Sequence, residues 1–263
     1  MENFFGFAQE LLEKGRARAG DPYANAELYD LLVRSGHDDQ FYVEFAKEQG
    51  GRVLDLACGS GRLIPDLLNA GLKVAGLDAA PQMLAKAQTR LGQRASEVEL
   101  VEGDMRRFSF AQPFNTIIIP YCSFMYMHSD EDRLAVLGSC YDSLKCGGYL
   151  VFDFLAGVVE LGEGWPALAL QGIHPFTDEI LLSVVQIKGL KPDLRLLNQI
   201  NYVLPREPKP PHITVYSSKE AVVTPERMIE LLLQAGFTLE GVYNNSTLKA
   251  YDGGEDCLVV AHK

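Results

Sequence analysis

Apolar residues along this chain follow two rhythms, and the change between them marks its parts. Val53, Leu54 and Leu56 form a short run of the fully buried kind, and Leu63, Leu67 and Leu68 follow at helical spacing. Residues 53–62 therefore read as a strand, a glycine turn and the start of a helix. The alternation repeats. Strands are expected over 71–78, 98–101 and 114–119, then a helix over 130–144 capped by Ser129 or Asp130 and closed by Cys146-Gly147-Gly148, then a fifth strand ending at Asp153. Strands separated by helices predict a parallel α/β sheet. Upstream, Phe4, Ala8, Leu11 and Leu12 share one helical face, predicting an amphipathic helix over 3–14 within an N-terminal helical segment, 1–50. Further helices are expected over 24–34 and 38–48, on either side of Ser35-Gly36-His37-Asp38.

Beyond residue 155 the period shortens to two. Stretches 180–187, 194–204 and 212–218 are β-rich, and within 194–204 Leu196, Ile200, Tyr202 and Leu204 fall on one face. Turn residues separate them, so an inserted antiparallel sheet is expected over about 155–216. Thr224-Pro225-Glu226 opens a last helix that Gly236 ends, and 237–243 with 256–262 predict a closing antiparallel hairpin.

The candidate chemistry collects at strand ends. Gly59 and Gly61 can take positive φ and admit a ligand close to the backbone, beside the free N–H groups of a helix start. Position 64 is Ile64 where a dinucleotide fingerprint wants glycine or alanine, and no Gly-Lys-Ser/Thr follows to make a P-loop. Asp55, at the strand tip, would repel a pyrophosphate but suits a ligand bearing ammonium or sulfonium charge. Asp78 ends the second strand where an acid can accept both ribose hydroxyls. Gly103-Asp104-Met105 offers a carboxylate for an exocyclic amine and a thioether for a flat ring.

With Asp55-Leu-Ala-Cys-Gly-Ser-Gly61, Asp78, Gly103-Asp104-Met105 and the Gly147-Gly148-Tyr-Leu-Val-Phe-Asp153 strand in place, the chain resembles a class I S-adenosylmethionine-dependent methyltransferase. The resemblance implies a Rossmann-like, mostly parallel sheet with an antiparallel last strand. It also implies S-adenosyl-L-methionine as cofactor and S-adenosyl-L-homocysteine as product. The implied cofactor neighbours are Tyr29, Asp55, Ala57, Cys58, Gly59, Gly61, Asp78, Ala79, Met83, Gly103, Asp104, Met105, Tyr121 and Cys122. Tyr29 and Asp30, preceded by Tyr23, resemble a Tyr-Asp pair that leans over the cofactor in the family. Ala57 stands where the family often has glycine. Ile119-Pro120-Tyr121-Cys122 lacks the Asn/Asp-Pro-Pro-Tyr pattern of enzymes that methylate nucleic-acid bases, which counts against that activity, and the inserted sheet, placed between the fifth strand and the last helix, resembles the lid of a small-molecule N- or O-methyltransferase. Tyr121 and His174 are the candidate catalytic residues, with His128 a further candidate base, Ser123 and Tyr126 possible substrate contacts, and Asp153 either a substrate contact or a partner of loop amides. The expected reaction is in-line displacement of the sulfonium methyl by N or O of a small molecule.

At 263 residues the chain suits one elaborated domain, 1–263. The net charge of −11 argues against a nucleic-acid partner. Five cysteines without a C-x-x-C pair favour free thiols in a reducing cytoplasm. The start carries no basic targeting region and no apolar run reaches membrane-spanning length, so no membrane association is expected. The histidines lack metal spacing, and no metal is expected. The first helix is expected to pack on the core, with an arm over the active site or a homodimer contact as its alternative roles. The competing readings are a nicotinamide oxidoreductase, an RNA or protein methyltransferase and a non-catalytic cofactor-binding module.

Overall fold

The computed structural model describes residues 3–21, 23, 38–174, 177–207, 209–244 and 249–263. In chain order these form α1 (Gly6–Glu13), β1 (Arg18–Ala19), α2 (Asp38–Gln49), β2 (Arg52–Leu56), α3 (Ile64–Asn69), β3 (Lys73–Asp78), α4 (Pro81–Leu91), β4 (Glu99–Glu102), β5 (Phe114–Ile119), α5 (Asp130–Ser143) and β6 (Leu144–Leu155). Then come β7 (Gly162–Glu163), β8 (Ala167–Ile173), β9 (Ile180–Lys191), β10 (Leu194–Leu204), β11 (His212–Ala221), α6 (Pro225–Gln234), β12 (Thr238–Asn244), β13 (Lys249–Ala250) and β14 (Asp256–His262). Two compact units emerge: Met1–Val33 with Val158–Glu220, and Arg34–Gly157 with Ala221–Lys263.

The second unit is the α/β sheet expected from sequence. Its eight strands run β13-β12-β14-β6-β5-β2-β3-β4. β4, β3, β2, β5 and β6 are mutually parallel, and β14 enters antiparallel between β6 and β12. Because these strands are buried on both faces, their apolar residues point two ways. Leu54, Ile117, Leu150 and Val259 face α5 and α6 through Val136, Leu137, Met228 and Leu231. Val53, Ile118, Val151 and Leu258 face α2, α3 and α4 through Tyr42, Ala46, Ile64, Leu67 and Leu84. That is the three-layer packing that covers a parallel sheet. The capping expectations hold: Ser129 Oγ accepts from Asp132 N and Thr224 Oγ1 from Arg227 N, with Pro225 opening α6.

One expected boundary differs. Cys146-Gly147-Gly148 does not close α5, because the chain turns extended at Leu144 and β6 begins there. The glycines instead carry a register shift inside β6, where Phe114 pairs with Leu144 but Thr116 with Tyr149. Gly147 has φ 72°, and a Cβ on Gly148 would lie 3.0 Å from the Lys145 carbonyl oxygen.

The first unit is built on the antiparallel insertion. β11, β10, β9 and β7 are neighbours in that order, and β8 also pairs with β9. β1, which no sequence pattern announces, adds in parallel to β11 through Arg18↔Thr214 and Ala19↔Val215. α1 covers one face, with Ala8 against Ile200 and Val215. On β10 the buried positions are Leu194, Leu196, Asn198, Ile200 and Asn201; Asn198 takes the place of an aliphatic side chain, its Nδ2 donating to the Phe5 carbonyl at 3.2 Å. The expected helix over 24–34 lies outside the described residues. No helix among the described residues is long and apolar enough to cross a membrane.

Candidate cofactor site

In an open α/β sheet the ligand crevice lies beyond the carboxyl ends of the strands, where the strand order reverses. Here that point is between β2 and β5, because the chain leaves β2 toward β3 and β4 on one side and returns to β5 on the other. Asp55 sits on β2, and Tyr121 and Cys122 follow β5.

Asp55 is 1% exposed, and its Oδ1 has no hydrogen-bond partner among the described residues. Burial is the main cause that lifts its pKa to about 7, the Asp78 charge adds to the rise, and the Arg62 guanidinium opposes it. A buried carboxyl with an unused oxygen is costly unless a donor or cation completes it. The residue after the strand, Ala57, has φ 63°, a left-handed conformation that glycine adopts without strain. Asp78 closes the turn from the neighbouring strand: Gly59 N donates to Oδ2 and Ala80 N to Oδ1, both at 2.8 Å. Each oxygen keeps a further lone pair. The two glycines have different work. A Cβ on Gly61 would come within 2.9 Å of Ala87 Cβ, so this position is set by packing on α4. A Cβ on Gly59 would meet only Met83 Cε, at 3.5 Å, and that position is open. Cys58 is buried, and burial pushes its thiol above the ordinary range, so it packs rather than reacts.

After β5 two consecutive residues, Tyr121 (φ 62°) and Cys122 (φ 55°), are left-handed. This non-glycine strain turns both side chains out of the strand direction. The Tyr121 hydroxyl donates to Asp39 on α2, and the Arg62 guanidinium lies 4.1 Å from the centre of its ring. Burial and then the bond to Asp39 raise the phenol's pKa, so at neutral pH Tyr121 is a hydrogen-bond donor and not a base. Cys122 Sγ donates to Asp153 Oδ2 at 3.5 Å and lies 3.9 Å from Asp256 Oδ1. Asp153 is buried and accepts from the Tyr42 hydroxyl at 3.0 Å. Ser123 Oγ donates to the Pro120 carbonyl, and Tyr126 is exposed.

At the end of β4, Met105 is buried and Asp104 exposed. Both Asp104 oxygens accept from the Arg106 guanidinium, which holds the carboxyl below its ordinary range. Ala79 is exposed beside Asp78, and Met83 is buried on α4. Tyr29 and Asp30 lie outside the described residues. His174 belongs to the first unit, in a turn where its Nδ1 accepts from Thr177 N at 3.4 Å. Sequence reading missed Arg62, Asp39 and Tyr42. Arg62 follows Gly61 directly, but the other two lie on a helix whose pattern gives no hint that they meet Tyr121 and Asp153.

Asp55 and Asp78 fit a nucleoside with a cationic end: one offers a buried, uncompleted carboxyl, the other a carboxylate fixed by two amides. Comparisons with known proteins bear on the fold and on the class of enzyme. Residues 53–148 match the family described as Methyltransferase domain. The chain is 33% identical over 142 residues to a glycine/sarcosine N-methyltransferase of Aphanothece halophytica, covering 53% of this chain and 54% of that one. It is 26% identical over 149 residues to a dTDP-3-amino-3,4,6-trideoxy-alpha-D-glucopyranose N,N-dimethyltransferase of Streptomyces venezuelae, covering 54% and 61%. The chain thus spans about half the length of the curated relatives it matches. Among solved structures, an S-adenosylmethionine-dependent methyltransferase from Clostridium acetobutylicum ATCC 824 superposes with TM-score 0.75 at 19% identity, over 90% of this chain and 96% of that one. Residues 53–148 thus match a methyltransferase domain, and the chain has the α/β fold of these methyltransferases.

Proposed function

We propose that the protein binds S-adenosyl-L-methionine and methylates a nitrogen or oxygen of a small molecule, with S-adenosyl-L-homocysteine as the other product. The observation that carries this reading is the buried Asp55 carboxyl at the sheet's reversal point, with an oxygen that no described residue completes. When bound, the cofactor supplies a methyl group already activated on a sulfonium. The residues then have binding and orienting work, which is where methyl transfer gains most. Ionised Asp55 takes the cofactor's ammonium end, and Asp78 takes the ribose hydroxyls with its remaining lone pairs. Met105, buried beside Asp104, is the apolar neighbour for the base. Tyr121, held by Asp39 and Arg62, presents a fixed hydroxyl dipole, and Tyr42 holds the Asp153 carboxyl toward Cys122. Asp153 and the exposed Asp256 on either side of Cys122 favour an acceptor that arrives with a positive charge, an amine, whose proton they can attract. The acceptors in the names of the two relatives, an amino acid and an amino sugar, support nitrogen over oxygen. The chain's charge of −11 supports a small acceptor over a nucleic acid. Free cysteines support a reducing cytoplasmic setting.

Calorimetric titration with S-adenosylmethionine, S-adenosylhomocysteine and NAD is the test. Micromolar binding of the first two with none of NAD is expected, followed by methyl transfer to primary and secondary amines in preference to phenols. Binding of NAD alone would overturn the reading, and transfer to phenols alone would overturn the choice of nitrogen.

A further inference from the structure

α1 and the strands beside it enclose a cleft of about 680 Å³, and every residue that lines it belongs to the first unit. None of them belongs to the cofactor site. α1 contributes Phe7 and Glu10, one turn apart on the same helix face. The chain from β7 to β8 contributes Glu163, Trp165 and Leu168, and β9 contributes Val184 and Gln186. A buried amide holds these pieces together. Gln186, 5% exposed, accepts from Phe7 N at 3.1 Å through Oε1, while its Nε2 donates to Glu163 Oε1 at 3.1 Å and to the Gly164 carbonyl at 3.0 Å. The start of α1, β7 and the loop after it are thus tied to one side chain whose polar atoms are all bonded. Gly6 completes the arrangement, because a Cβ there would overlap Glu163 Oε1.

The lining combines two kinds of group. Phe7 is exposed and Trp165 is 94% exposed, so two aromatic rings stand uncovered beside the apolar Leu168 and Val184. Glu10 and Glu163 add two carboxylates. Their lysine neighbours hold them loosely: Lys14 pairs with Glu10 in an exposed i,i+4 contact, and Lys188 Nζ stands 3.7 Å from Glu163 Oε2 with both side chains 38% exposed. Surface pairs of this kind contribute little. Lys188 also shows what this corner attracts, its Nζ lying 5.5 Å from the centre of the Phe5 ring while it faces Glu163.

We propose that this cleft binds an N-alkylated ammonium compound, tertiary or quaternary. Aromatic faces beside carboxylates attract a cation, and the chain's charge of −11 favours its approach. The alkyl groups follow from the rest of the lining. Leu168 and Val184 accept no hydrogen bond and the Gln186 amide is spent on Phe7, Glu163 and Gly164, so a primary ammonium would leave N–H groups unmatched. N-methyl groups instead bury against the rings and the aliphatic side chains. A neutral apolar ligand would leave both carboxylates unused, and an anion would be repelled by them. Methylation of an amine yields this class of compound, but the choice of ligand rests on the lining alone, and its failure would leave the methyl-transfer reading standing.

Trp165 is the chain's single tryptophan, so its emission reports this cleft. Titration of the full chain with choline, in the absence of cofactor, should give a saturable change in that emission, and sodium chloride at matched ionic strength should give none. The uncharged analogue of choline, in which carbon replaces the nitrogen, should bind at least about 10-fold more weakly. The double variant Glu10→Gln with Glu163→Gln should lose about 10-fold in choline affinity, keep its affinity for the uncharged analogue, and match the parent in circular dichroism and in calorimetric cofactor affinity. A response to choline that never saturates would overturn the proposal. So would equal affinity for choline and its uncharged analogue, or choline affinity that survives both glutamines. Should the double variant fail to fold, the comparison of the two probes on the parent decides.

Discussion

Asp55 couples folding to cofactor binding through a single proton. Its pKa is about 7 when folded against an ordinary 3.8, so the folded chain binds the proton more tightly than the unfolded one. The stability from this group is fully present below pH 3.8 and is lost as pH rises through 7, to a total of roughly 4 kcal/mol. Asp55→Asn should therefore leave the cofactor-free protein about as stable as the parent below pH 3.8 and increasingly more stable as pH rises, by roughly 4 kcal/mol at pH 8, measured by denaturant unfolding. The same change should weaken S-adenosylmethionine binding by roughly 10- to 100-fold, the loss of a charge-assisted bond. Parent affinity should climb with pH up to about 7 and then level off. Tyr121→Phe gives the contrasting case. The ring stays under Arg62 and the bond to Asp39 is lost, so the rate should fall less than about tenfold and the alkaline side of the pH profile should not move; a lost alkaline limb would restore Tyr121 as a base. Ala57→Gly should gain about 0.5 kcal/mol, because the left-handed penalty of roughly 1 kcal/mol outweighs glycine's extra unfolded freedom. These residue-level properties were partly legible. An acid before a glycine turn announces a cation site, but that Asp55 retains its proton near neutrality depends on burial, which only the packed sheet supplies.

At the scale of elements, the β2 turn separates glycine for packing from glycine for ligand. Gly61→Ala combines φ 69° with a 2.9 Å approach to Ala87 Cβ, so it should cost about 2–4 kcal/mol in denaturant unfolding. Gly59→Ala has φ 53° and no close contact, so it should cost about 1–2 kcal/mol while reducing cofactor affinity at least as much as the Gly61 change. The long apolar runs 53–56, 114–119 and 149–155 were readable because a strand buried on both faces needs no alternation to be recognised. The Ser129 and Thr224 caps were readable because capping is local. β8 was not, since its exposed Ala-Leu-Ala-Leu run lacks both the alternation of a half-covered strand and the bulk of a buried one. The Gly147-Gly148 pair was misread for a related reason: glycine marks a helix end and a strand irregularity alike, and pairing with Phe114 and Thr116 decides between them.

On the scale of the whole molecule, the first unit is assembled from two distant stretches of chain. Residues 3–19 are tied to the sheet by partners far away in sequence: β1 pairs with β11, α1 rests on Ile200 and Val215, and the Phe5 carbonyl accepts from Asn198. No local pattern could reveal this, because a two-residue strand has no period. Removing residues 1–20 should therefore speed hydrogen exchange in β10 and β11 while leaving β2, β3 and β5 unchanged. Equal exchange in β10 and β11 with and without the segment would show that α1 contributes nothing to them. The same arrangement governs how the protein is made. α1 leaves the ribosome with an apolar face, yet the strands that cover it follow about two hundred residues later, a wait of roughly 10–40 s at ordinary translation rates. The methyltransferase sheet can form most of its parallel strands in that interval. α1 is thus made well before the strands on which it docks, and chaperones that bind short amphipathic segments have access to its apolar face throughout that interval.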